Sequence, residues 1–222
     1  MPSPASDHQV RIALRDDRKA EKFAEHIAEL AARLVNTSFK FAEEIKSTYE
    51  SIPKRRCSDK NFDQTDHAKL ALGAFSFFMH VLDRHLLDMD IDLIREAVLD
   101  LILGNVVQRV YAKSFAGPPA ESEKFVLNHF DARTSQLAEA PTIFSTVSED
   151  ETTAIWRASR AICEEDLGRD DRRLVVIVET HLREGLEALS LADNMAAIIE
   201  ALCSFHPSNA AGRAHAQIGV RF

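Results

Sequence analysis

Residues 70–87 read LALGAFSFFMHVLDRHLL, and the placement of this run decides the fold. It is interrupted only by His80, Asp83, Arg84 and His85, which make it too polar to span a bilayer. On a helical wheel Ala71, Phe75, Phe78, Leu82, His85 and Met89 share one face, while Phe77 and Leu87 stay on the opposite face. A helix that is apolar nearly all round is buried on several sides. The following segment, about Asp92 to Ser114, is apolar on two sides as well. Ile94, Ala97, Val98 and Leu101 form one face, and Leu99, Leu103, Val106, Val107 and Val110 form the other. The short link Met89–Asp90–Ile91 makes these two helices antiparallel neighbours. They are therefore either the central hairpin of a monomer core or the contact surface of a dimer.

Proline divides the rest of the chain. A proline in a helix interior costs about 3 kcal/mol, so helices should lie between Pro2, Pro4, Pro53, Pro118, Pro119, Pro141 and Pro207. From about Asp17 to Ile52, the positions Phe23, Ile27, Leu30, Leu34, Phe41, Ile45 and Ile52 follow a three-four spacing, with Ser38 and Thr48 filling the gaps. At ~1.5 Å per residue this helix is ~50 Å long. A fourth segment, about Glu121 to Ala140, turns Val126, Phe130 and Leu137 inward. A fifth is expected to start at Ser148, where Ser148 and Glu151 have the spacing of a capping box, and to close at Gly168. A sixth starts near Asp170; its opening, Leu174 to Val178, suits a buried strand, but Leu182, Leu186 and Leu189 favour a helix. A short helix from Ala192 to Phe205 follows. The alternating ends, Val10 to Arg15 and Ile218 to Phe222, read as short strands or frayed termini. The expected fold is all-α: a single bundle of six or seven helices over residues 17–206, with a long N-terminal helix and a central antiparallel pair. A flexible or short extended arm (1–16) precedes the bundle and an extended or disordered tail (207–222) follows it.

Composition agrees. The chain has 222 residues, 45% hydrophobic and 28% charged, with only 7 Gly, too few for a turn-rich β fold. Net charge is −8, which disfavours nucleic acid, although residues 1–60 are net +2 and include the basic loop Lys54–Arg55–Arg56. The N-terminus has no apolar core of a secretory signal. Cys57, Cys163 and Cys203 are an odd set without CxxC spacing, which reads as three reduced thiols in a cytoplasmic protein.

No catalytic motif is present: GxGxxG, GxxxxGK[ST], GxSxG, HExxH and Glu-x-x-His are all missing. What remains is polar residues on apolar faces. His85 and Asn105 sit on the inner stripes of the second and third helices. His129 and Arg133 are four apart at the core-facing edge of the fourth, and His181 borders Val178 and Leu182. A buried polar group without a partner costs ~1–3 kcal/mol, so each should be paired. Converging, His85, Asn105, His129 and Arg133 would line a polar pocket for a metal or small ligand. Against that, a lone histidine on an apolar stripe is ordinarily satisfied by a neighbour, and a buried Asn ordinarily fixes register. A second group, Phe77, His80, Arg84 and Leu87, suits a dimer interface with polar anchors, although Asp83 three residues from His80 would also orient it as a metal or base histidine. The sequence therefore favours a non-enzymatic interaction or regulatory protein, homodimeric, binding a protein partner through apolar helix faces or tails. The alternative is a metal- or ligand-binding bundle, with or without enzymatic activity. No particular cofactor and no membrane association is expected.

Overall fold

A computed structural model describes residues 15–52, 62–89, 92–106, 110–115, 118–145 and 150–204, the side chains at 92–94, 105, 112 and 201–204 excepted. The described residues form an all-α bundle, with helices α1 (Asp17–Glu50), α2 (Gln64–Asp88), α3 (Asp92–Val106), α4 (Pro119–Ala138), α5 (Ala154–Ala161), α6 (Arg172–Leu189) and α7 (Leu191–Ser204). None is long and apolar enough to cross a membrane.

Helix α1 starts where Asp16 caps it, its carboxylate accepting from the Arg18 and Lys19 amides. The inward stripe is the expected one through Ile45, but it continues through Tyr49 instead of Thr48 and Ile52. The Tyr49 ring packs edge-on against Phe62, and its hydroxyl donates to Asp171 at 3.0 Å.

Helix α2 is the axis of the bundle. Every residue from 70 to 82 is buried, and α1, α3, α4, α5 and α7 all touch it. Phe77 is fully buried within one chain, so α2 belongs to the core of the protomer. A helix buried on all sides leaves little room at its closest neighbours. A Cβ on Gly73 would lie 2.5 Å from Ile162 Cγ1, so glycine is what lets the turn after α5 approach. An ion pair between Arg95 and Asp83, its second contact at 3.0 Å, ties α3 to α2.

Two expectations are corrected. Helix α3 buries a single face, along Val98, Ile102 and Val106, and leaves Ala97 and Leu101 exposed. Its described residues run to Val106, and within the expected span Val110 and Tyr111 are again helical, in a π-turn that leads into the 3-10 turn Ala112–Ser114. Helix α5 starts later than the capping box proposed: Thr153 is its cap, Oγ1 accepting from the Trp156 amide at 3.3 Å. The reason is tertiary, since the Ala154 amide donates to Thr142 O at 2.8 Å and holds the preceding strand-like stretch outside the helix. Ser148 lies outside the described residues, as do the expected terminal strands apart from Arg15, which is in a turn. Residues 174–178 are helical, and Gly168, at φ +64°, ends the helical stretch as expected, though past the π-turn that follows α5.

After α5 the chain makes one π-helical turn, Ile162–Asp166, before Gly168. Such wider turns tend to occur where side chains must be redirected.

Candidate functional site

The structure does not bring His85 together with His129 and Arg133. His129 and Arg133 meet the π-turn. His129 Nε2 donates to Asp166 Oδ1 at 2.9 Å, and Arg133 donates to the same oxygen at 2.5 Å. Arg133 also donates to Glu165 at 2.6 Å, to Gln136 at 2.7 Å and to the Ala161 carbonyl at 3.3 Å. Burial alone would lower the affinity of Arg133 for its proton, but Asp166 and Glu165 more than offset this and hold the guanidinium charged. Arg133 and Asp166 are 5% and 7% exposed. His129 Nδ1, Arg133 Nε and Asp166 Oδ2 are buried without a hydrogen-bond partner. The cluster is therefore a closed ionic staple between α4 and the π-turn. The sequence analysis missed Asp166: it stands four residues beyond Ile162, but no local pattern signals that a carboxylate there meets Arg133.

The interface group is also divided. Phe77 and His80 face the interior, so no partner reaches them in this fold. Arg84 is half-buried and donates to the carbonyls of Ala140 and Pro141 at 3.3 and 3.4 Å, while Leu87 is 40% exposed. Burial, and then the Arg84 charge, lower the pKa of His80 despite Asp83. His181 is held by Thr48 at 3.3 Å and lies close to Glu184. The side chain of Asn105 lies outside the described residues. Among the described residues, no group of three or more His, Cys, Asp or Glu is placed to hold a metal ion.

His85 has a different setting. It is half-buried and lines a cleft of about 370 Å³ between α2, α6 and the start of α7. Val81, Leu186 and Leu191 are its apolar members; Arg183, Glu187 and Asp193 join His85 as its ionisable ones. Phe144, 39% exposed, stands beside it with the Arg183 guanidinium 5.1 Å from its ring centre. Among the described residues the side chains of His85, Glu187 and Asp193 have no hydrogen-bond or ion-pair partner, and Arg183 has one, Glu179 at 3.3 Å.

In two other clefts the basic side chains are paired. A larger one of about 640 Å³ lies between α1 and α7, but its His26 pairs with Glu29 at 3.6 Å and its Arg33 with Asn194 at 2.9 Å. One of about 360 Å³ beside Trp156 has Arg160 spent on Glu164 and Arg157 on Glu139. Sequence reasoning found His85 but missed Arg183, Glu187, Asp193 and Phe144. Arg183 and Glu187 are four apart and read as an ordinary solvated pair, and Phe144 lies in a loop without periodicity. No known protein family, curated protein or solved structure matches this chain.

Proposed function

We propose that this bundle binds a small ligand in the His85 cleft. The carrying observation is the polar rim: ionisable groups from α2, α6 and α7 face one apolar-floored cleft and do not neutralise each other. Ligand sites combine an apolar surface with a few convergent polar groups in this way, and ~300 Å³ is the lower end of their volume range. Arg183 pairs with Glu179, so the unspent groups of the concavity are His85, Glu187 and Asp193, and these point to a partner from outside. The reading displaces an interface on α2, whose Phe77 and His80 are used inside the chain.

The test is a ¹H–¹⁵N correlation screen of the full chain against a mixed set of small anions, cations and zwitterions with apolar bodies. Shifts clustered at residues 81, 85, 144, 186 and 191, and lost in Arg183→Ala, are the expected result. A set of ligands that moves no resonance there, or moves it equally in the variant, removes the proposal.

Pairing between two copies is the second reading, favoured by one observation. On α3, Ala97, Leu101 and Gly104 are exposed at a four-three spacing, and a Cβ on Gly104 would meet nothing within 4 Å. A two-fold axis would pack such a strip on itself. Native mass spectrometry at micromolar concentration should then show twice the chain mass, reduced to one in Leu101→Asp; a monomer throughout excludes it.

A further inference from the structure

Along α6 the His85 cleft changes sign. Arg183 stands beside Phe144, and Glu187 follows one helical turn later, about 6 Å along the axis. Asp193, in the first turn of α7, adds a second carboxylate to the same cleft. Opposite charges four residues apart on a helix can reach each other, and the pair with the acid first is the better one. Here Arg183 reaches back to Glu179 and lies over Phe144 instead, so Glu187 is left without a partner among the described residues. The positive group and the two carboxylates are thus kept apart in one concavity.

A ligand with one charge answers only one end of this arrangement. A molecule with both charges answers the two together. A carboxylate accepts from Arg183, whose Nε and Nη1 make no hydrogen bond among the described residues, and from the His85 ring on the α2 wall. An ammonium group donates to Glu187 and Asp193. Val81, Leu186 and Leu191 then offer aliphatic surface to the body of the molecule. We infer that the cleft takes a small zwitterion with an aliphatic body, of the class of a free branched-chain α-amino acid. This rests on the reading of the cleft as a ligand site and adds the ligand's charge pattern to it.

The experiment is a titration of the full chain, followed by the same ¹H–¹⁵N resonances, with L-leucine and three relatives. Leucinamide keeps the ammonium and loses the carboxylate. 4-Methylpentanoate keeps the carboxylate and loses the ammonium. Glycine keeps both charges and loses the body. Leucine should shift the cleft resonances, and each relative should bind at least ~10-fold more weakly, as the loss of one charged hydrogen-bonding end or of a buried aliphatic chain implies. Arg183→Gln and Glu187→Gln, both on the surface of α6, should each weaken leucine by a similar factor without changing the circular dichroism spectrum. If a singly charged relative, or a singly charged member of the mixed screen, binds as tightly as leucine, the zwitterion is wrong and the cleft remains a ligand site. If leucine binds equally to both variants, its site is elsewhere and the inference falls. If neither leucine, its relatives nor the screen moves the cleft resonances, the inference and the ligand reading fall together.

Discussion

Arg133 illustrates how a single residue changes meaning between sequence and structure. On a wheel it is an edge cation beside Val126 and Phe130. In the fold it is 5% exposed and holds Asp166 and Glu165 across to another element. Removing one partner of a buried pair leaves the other charge uncompensated, at roughly 3–5 kcal/mol, whereas replacing both with apolar groups of similar volume is often close to neutral. Arg133→Met should therefore lower the unfolding free energy by about that amount, and Arg133→Met with Asp166→Leu should recover much of it. Urea titration of the two variants and the parent checks this; equal losses would mean that the ion pair is not what the positions share. His80 makes a prediction in pH. Its folded pKa lies below the ordinary value because burial and Arg84 disfavour the charged ring. The unfolded chain then binds more protons, so stability is full above about pH 6.5 and falls as pH drops below it. His80→Gln should flatten this fall between pH 7 and 5 in urea titrations. An unchanged slope would assign the acid sensitivity to other groups.

At the scale of elements, sequence patterns were reliable wherever the cause was local. Asp16, Asp63 and Asp171 each accept backbone amides at the start of a helix, and α1 and α6 start within two residues of the expected Asp17 and Asp170. Patterning failed at α5, where the start depends on a contact between residues far apart for a turn. Thr142 takes the Ala154 amide, and Thr153 becomes the cap. Thr153→Ala should cost about 1 kcal/mol and lower the melting temperature by roughly 2–4 °C in a chain of this length. A calorimetric scan measures it, and no change would show that the Thr142 contact alone positions the helix. The π-turn likewise has no signature in local propensity. It is fixed by what it reaches, Arg133 and His129 on α4, and by the small residue at position 73 that admits Ile162.

For the whole molecule, α2 is the shared neighbour. Because it touches helices from both ends of the chain, its core side chains belong to every part of the bundle at once. Phe78, fully buried, should cost about 3–5 kcal/mol when replaced by Ala. The transition should fall together by far-UV dichroism and by fluorescence of Trp156, the single tryptophan. Separate midpoints would mean that α5 and its turn unfold as an independent unit. The helical class, the long α1 and the burial of residues 70–82 were legible in the chain, because they follow from proline positions and from hydrophobic periodicity, which act over neighbouring residues. Which apolar faces meet inside one chain was not legible: Phe77 and Leu87 carry the same pattern, yet one is fully buried and the other 40% exposed. Nor was the cleft, whose rim is drawn from α2, α6 and α7. Whether two charges pair or stand apart is set by side-chain geometry across elements, and only the packing of the bundle decides that.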